Sequence, residues 1–182
     1  MPWSMPGSMV FLAAAIVAAT FGWAAASKLV GIGRWRRALT GYGLTRPLER
    51  FAGVATPFAE AGVALLVLVG PLPVAGALAL VMLAGFCVLI LRARVLQGDR
   101  LPCGCFGGTS ERDYRLMLLR NTLIAVPAGI VVAAGEPGLV ELASSIDAPE
   151  VLPAGLVVVA AGLVVWMGKG VSESLSTKGR RT

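Results

Sequence analysis

The run VAGALALVMLAGFCVLIL, residues 74–91, contains no charged residue. It follows the turn Pro71–Pro73, where proline cannot continue the hydrogen-bond ladder of a helix, and it ends against Arg92 and Arg94. A helix of about 20 apolar residues crosses the hydrocarbon core of a bilayer. The run therefore predicts a transmembrane helix, and with it a membrane protein.

Four further apolar runs surround this one, at about 9–29, 51–69, 116–134 and 151–167. Together the five runs predict an all-α membrane protein, with a five-transmembrane-helix bundle over residues 1–168 and a polar cytoplasmic tail over residues 169–182. The composition agrees: 57% of the chain is hydrophobic and 14% is charged, against about 45–50% apolar and about 25% charged in soluble domains. The abundant Ala and Gly suit close helix packing in lipid.

The basic residues are sorted by side of the membrane. All 16 Lys and Arg fall in the first connection (30–50), the third connection (95–115), their flanks, or the tail, whereas residues 135–150 hold four acids and no base. The positive-inside rule then predicts an outside N-terminus on an uncleaved first helix, a cytoplasmic C-terminus, and a third connection on the cytoplasmic side. The net charge of +6 therefore reflects basic residues on the cytoplasmic side of a lipid bilayer. We expect no nucleic-acid partner.

Several common cofactor chemistries are disfavoured by the residue types present. The chain has no histidine, the commonest metal ligand and general base. Its three cysteines are too few for a disulfide framework or a four-thiolate zinc site. We therefore expect no metal site, and no resident cofactor is indicated.

Five polar residues interrupt the apolar runs: Lys28, Glu60, Cys87, Arg120 and Asn121. A charge at the centre of a bilayer costs about 2.5–3.5 kcal/mol on insertion scales, so such residues face the bundle interior. One interpretation is a polar pocket beneath the third connection in which Glu60 shuttles protons. The other is that Glu60 is protonated, or paired with Lys28 or Arg120, and fixes the helix register.

Lys28 and Cys87 also have individual interpretations. Lys28 lies at the end of its run, so we expect it to extend its ammonium group toward the membrane interface. Cys87 has apolar neighbours, so we expect a structural residue. A relay thiol is the alternative.

The third connection carries LPCGCFGG, residues 101–108. Thiol–disulfide exchange needs an accessible thiolate and a resolving thiol nearby, and the one-glycine spacing puts Cys103 and Cys105 within reach of each other. A disulfide between them is strained and easily reduced, and Arg100 and Arg112 favour the thiolate. We interpret the pair as a catalytic redox dithiol. Unreactive loop cysteines and a thiolate site for Cu(I) remain alternatives.

Five stretches resemble the MauE/DoxX-like family of redox-associated membrane proteins, in its methylamine utilisation (MauE) branch: FGWAAASKL (21–29), ALTGYGL (38–44), EAGVALL (60–66), CGCFG (103–107) and LRN (119–121). The resemblance implies a four-helix DoxX-like core, here with a fifth helix, in a bacterial cytoplasmic membrane. It also implies disulfide chemistry with a thioredoxin-like protein or another membrane redox subunit, in an oligomer or hetero-complex, during maturation of a redox enzyme such as methylamine dehydrogenase.

Two functions from different classes follow. The first is a membrane thiol–disulfide oxidoreductase component, with a thioredoxin-like protein or a quinone as its electron partner. The second is a non-catalytic membrane scaffold or assembly subunit of a redox complex; a small-solute transporter, supported by Glu60 alone, ranks third. Periplasmic disulfide chemistry requires the cysteines outside, whereas the charge pattern predicts them inside, and we follow the charge pattern.

Overall fold

Four long helices build the part of the chain that the structure describes. The computed structural model describes residues 6–102, 111–134 and 138–145. Within them, α1 (Gly7–Val30), α3 (Arg46–Val69), α4 (Leu72–Gln97) and α5 (Tyr114–Ala133) are long and apolar enough to cross a membrane. These helices coincide with the first four predicted spans, so the prediction of a helical multi-pass membrane protein is confirmed.

Proline and glycine mark the helix ends. Pro47 and Pro73 occupy the first turns of α3 and α4, where a missing N–H costs no helical hydrogen bond. Gly98 follows α4 with φ +90°, a left-handed conformation that side chains rarely allow. Helix α3 begins five residues before its predicted run and α4 ends six residues after its own. The charged first turn of α3 and the charged last turns of α4 lower the hydropathy there without interrupting the helix.

The four helices form an antiparallel ring. Helix α1 packs against α3, α4 packs against α5, and contacts of α1 with α5 and of α3 with α4 close the ring. The core is rich in small residues, which let backbones approach closely. At Gly76 of α4, an added Cβ would lie 2.8 Å from the carbonyl oxygen of Ala128 in α5. Only glycine fits this crossing.

Three connecting elements complete the described chain, and none was predicted. The first connection contains α2 (Ile32–Thr40), which packs on α3. The third connection begins with β1 (Arg100–Pro102) and ends with β2 (Glu111–Asp113), an antiparallel two-stranded ribbon. Helix α6 (Leu139–Ser145) lies against α1 and α3 at the opposite end of the bundle. The connections 30–50, 95–115 and 135–150 therefore contain short helices and strands of their own.

Two predicted features at the C-terminal end of the chain lie outside the described residues. These are the fifth transmembrane helix at 151–167 and the polar tail at 169–182. Both stay predictions, as does the orientation of the bundle in the membrane.

Candidate functional site

A buried ion pair joins the first two spans. The Lys28 Nζ atom of α1 donates to both carboxylate oxygens of Glu60 in α3, at 2.6 and 2.7 Å. Both residues are only 1% exposed. A buried pair with short bonds to both oxygens offsets much of the cost of removing its charges from water. Lys28 and Arg120 were the two predicted partners of Glu60, and the structure shows the ion pair with Lys28.

Aromatic rings surround the ammonium group of this pair. Lys28 Nζ lies 5.2 Å from the centroid of the Trp35 ring of α2 and 5.8 Å from that of Phe86 in α4. Both distances allow cation–π attraction, which strengthens when the cation is desolvated. The expectation that Lys28 reaches toward the interface is wrong. Helix α2 follows α1 directly and its buried Trp35 covers the lysine, so the Lys28 side chain is enclosed by the protein at the end of α1.

The other predicted polar residues lie beside the ion pair. Arg120 Nη2 of α5 donates to Asn121 Oδ1 at 3.3 Å. The Asn121 Nδ2 atom is 3.8 Å from the Cys87 sulfur of α4, a weak contact typical of a thiol acceptor. Asn121 is buried. Four helices therefore contribute to one polar cluster, which we define as Lys28, Glu60, Cys87, Arg120 and Asn121.

A small cavity lies at this polar cluster. It measures about 30 Å³, room for one or two water molecules. Its wall combines the polar cluster with apolar and hydroxyl side chains and is formed by Thr20, Phe21, Ala24, Lys28, Glu60, Leu83, Phe86, Arg120, Asn121 and Ile124. The structure thus places four of the five predicted polar residues around one cavity. The fifth, Cys87, contacts Asn121 in its wall.

The polar cluster lies deep in the bundle. Glu60 is about 21 Å along the axis of α3 from Arg46, and Phe86 is about 21 Å along α4 from Leu72, at ~1.5 Å per residue. Lys28 and Arg120 carry two positive charges against one carboxylate, Glu60. In the described ranges, no group of three His, Cys, Asp or Glu side chains suits a metal ion. The polar cluster therefore combines two cations with one carboxylate in the interior of the helix bundle.

The cysteine segment lies outside the described residues, but its two ends are described. Strands β1 and β2 pair Arg100 with Asp113 and Leu101 with Arg112, so the chain enters and leaves residues 103–110 side by side. The fully buried Leu101 packs in a second apolar cluster at this end of the bundle, with Tyr42, Ile90, Ala93, Tyr114 and Met117. The ribbon is therefore fixed to α4 and α5.

Arginines stack around the base of the ribbon. The Arg94 guanidinium lies 4.1 Å from the centroid of the Tyr114 ring, and that of Arg115 lies 5.7 Å away. Arg94 Nε also bonds Asp99 Oδ1 at 3.1 Å, and Arg115 Nε donates to the Tyr114 hydroxyl at 3.2 Å. The Asp113 carboxylate caps α5 by accepting from the Arg115 N–H at 2.8 Å. These contacts tie the base of the ribbon to the start of α5.

The family model of the methylamine utilisation protein MauE matches residues 6–134. The chain belongs to the MauE family. The match covers all four described spans, both strands, the polar cluster and the Cys-Gly-Cys motif, and it confirms the resemblance found in the sequence. Comparison with the curated proteins and with the solved structures gives no match. Membership in the MauE family supports an accessory role in the membrane.

Sequence reasoning missed the aromatic residues of the site. Trp35 and Phe86 contact Lys28, and Tyr114 contacts Arg94. Only the packing of the helices brings each ring to its cation. One signal was present for Trp35: with Ala38 and Leu39 it forms an apolar stripe at helical spacing among arginines, the pattern of an amphipathic helix.

Proposed function

We propose that this MauE-family protein is a membrane-embedded thiol–disulfide redox protein whose Cys103 and Cys105 exchange electrons with a thioredoxin-like partner or a quinone. Maturation of a redox enzyme used in methylamine metabolism is the accessory role that fits the family. The observation that carries the proposal is the β1–β2 ribbon. It holds both ends of the cysteine segment together on the basic end of the bundle.

The exchange runs in two displacements. A thiolate of Cys103 or Cys105 attacks one sulfur of the partner's disulfide, which forms a mixed disulfide and releases the partner's second sulfur as a thiolate. The remaining loop thiolate then attacks the loop sulfur of the mixed disulfide, closes the Cys103–Cys105 bond and releases the partner dithiol. Two electrons and two protons pass from the loop to the partner. A quinone acceptor takes the same electrons and protons and becomes a quinol.

The surroundings of the ribbon favour this chemistry. Arg94 and Arg115 flank the ribbon base, and a cationic setting stabilises a thiolate. One glycine between the cysteines gives a strained ring, and strained exposed disulfides are the reactive ones. Helices α4 and α5, which carry the ribbon, also contribute Cys87, Arg120 and Asn121 to the polar cluster.

A test uses the purified full-length protein, reduced, with oxidised thioredoxin as the probe. The wild-type chain should reduce the probe and lose two free thiols by maleimide counting. Cys103→Ser and Cys105→Ser should each block completion, with a mixed disulfide accumulating in the variant that keeps the attacking cysteine. The matched control is Cys87→Ser, which should behave like the wild type.

The double variant decides between the two functional classes. Reduction of thioredoxin by Cys103→Ser/Cys105→Ser at the wild-type rate would contradict the proposal. If the double variant also supports enzyme maturation in cells as the wild type does, the non-catalytic scaffold is the function instead.

The predicted cytoplasmic position of the loop has its own test. Intact cells are treated with a membrane-impermeant maleimide before and after reduction, with a Cys87→Ser background to isolate the loop. We expect protection in intact cells and labelling after permeabilisation. Labelling of intact cells places the loop outside and overturns the orientation.

A further inference from the structure

Helix α2 has one apolar side and one strongly basic side. Trp35, Ala38 and Leu39 are buried against the bundle, whereas Arg34, Arg36 and Arg37 are exposed. Amphipathic helices at membrane interfaces carry their basic residues toward the lipid headgroups. Since its apolar side already contacts the protein, its basic side is open to an external ligand.

The first turns of α3 add to the same basic surface. Arg46 and Arg50 are exposed. Together with the three α2 arginines they give residues 30–50 five basic residues and one acid, Glu49. Helix α3 also carries Gly53, where an added Cβ would meet the Arg36 side chain, with Cγ at 3.2 Å and Nε at 3.6 Å. The glycine lets Arg36 lie across α3 one turn beyond Arg50. Arginines from two helices therefore share one patch.

An apolar ridge continues from this basic patch along α3. Arg46, Arg50, Val54 and Phe58 follow one another at a spacing of four, so they lie on one face of the helix. Phe58 is 62% exposed, and its neighbour Phe51 is 69% exposed. A cationic end followed by an exposed aromatic ridge matches a molecule with an anionic head and a long apolar tail.

We propose that α2 and the first half of α3 form a binding site for an anionic phospholipid. The lipid phosphate contacts the guanidinium groups of Arg36, Arg46 and Arg50, and an acyl chain lies along Phe51, Val54 and Phe58. Charge complementarity and the continuous ridge at membrane depth identify a lipid rather than a soluble anion. The site does not involve the cysteines, so it stands apart from the redox proposal.

Lipid retention by the purified full-length protein tests the site. The protein in mild detergent is mixed with phosphatidylglycerol or phosphatidylcholine, and bound lipid is counted by native mass spectrometry. The wild type should retain phosphatidylglycerol preferentially. Each arginine removed should weaken phosphatidylglycerol binding about fivefold, the effect of one basic residue near a charged membrane surface. Phosphatidylcholine binding should stay unchanged.

Four variants make the test specific. Arg36→Gln/Arg50→Gln should lose the preference, and Arg36→Lys/Arg50→Lys should keep most of it because the charge remains. Arg115→Gln, an exposed cation at the start of α5, is the matched control and should bind as the wild type does. Phe58→Ala should weaken the binding of both lipids, since it shortens the ridge.

Three outcomes overturn the proposal. The first is equal retention of both lipids by the wild type. The second is an equal loss of binding in Arg36→Gln/Arg50→Gln and in Arg115→Gln. The third is displacement of the lipid by glycerol phosphate at the same concentration, which would show that the patch binds a soluble phosphate instead. Melting temperatures of the wild type and of the variants at Arg36 and Arg50, measured without added lipid, should agree because both arginines are exposed.

Discussion

Lys28 and Glu60 form a two-bond ion pair across the α1–α3 interface, with 2.6 and 2.7 Å between the ammonium nitrogen and the two carboxylate oxygens. Both charges are withdrawn from lipid and solvent, so each depends on the other. This relationship makes the pair the most sensitive electrostatic element in the described part of the chain.

Removing one partner should be much worse than removing both. Lys28→Met leaves Glu60 buried without its ammonium partner and should lower the free energy of unfolding by about 3–5 kcal/mol. Lys28→Met/Glu60→Leu should recover most of that loss. Unfolding in mixed detergent micelles measures both, with the exposed Arg37→Met as the control. Equal losses in the single and double variants would show that the pair does not couple α1 to α3.

The Gly76 crossing predicts a sharp size limit. Gly76→Ala puts a Cβ 2.8 Å from the Ala128 oxygen and the Val132 nitrogen, so α4 and α5 must separate, at a cost of about 1–3 kcal/mol. The matched control on the same helix is Gly85→Ala, where an added Cβ meets nothing within 4 Å. Melting temperatures compare the two variants. A Gly76→Ala protein as stable as Gly85→Ala would mean that the crossing adapts freely.

Trp35 should contribute through its ring rather than its N–H group. Its buried indole nitrogen has no hydrogen-bond partner among the described residues. Trp35→Phe should therefore cost less than about 1.5 kcal/mol, whereas Trp35→Ala should cost about 3–5 kcal/mol and uncover Lys28. Chemical unfolding monitored by circular dichroism distinguishes them. A Phe variant as damaged as the Ala variant would indicate that the N–H group has a partner after all.

Leu101 should anchor the ribbon that flanks the cysteine segment. Because Leu101 is fully buried beneath the ribbon, Leu101→Ala should weaken ribbon attachment by about 2–5 kcal/mol. We expect faster amide hydrogen exchange at Arg100, Leu101 and residues 111–113, and faster maleimide labelling of Cys103 and Cys105. Leu119→Ala, at an exposed site on α5, is the control. Unchanged exchange in Leu101→Ala would show that the strands hold without this anchor.

The four described spans could be predicted because apolar run length is a local property that the bilayer sets directly. The extra turns of α3 and α4 could not, since residues 46–50 and 92–97 are rich in arginine and hydropathy does not separate a basic helix end from a loop. Helix α2 was missed for the same reason, although Trp35, Ala38 and Leu39 carried its periodicity.

The polar cluster was predicted in its membership but not in its pairing. Each of Lys28, Glu60 and Arg120 is costly in lipid, so the sequence alone indicates that they turn inward. Which cation meets Glu60 depends on the rotation of each helix, a property of packing rather than of spacing. The burial of Lys28 could not be predicted from its position near the end of α1, because that position does not show that α2 covers the lysine. Gln97 at the end of α4 donates to the Gly41 carbonyl, which shows that the bundle continues past that level.

The partnership of Lys28 with Glu60 also bears on biosynthesis. Helices α1 and α3 are the first two described spans to leave the ribosome, and neither charge needs a group synthesised later to compensate it. The two helices can enter lipid as a neutral couple before residues 72–97 exist. Each charge alone opposes the insertion of its own helix. Once paired, the two charges allow α1 and α3 to be inserted as one unit, against which α4 and α5 then pack.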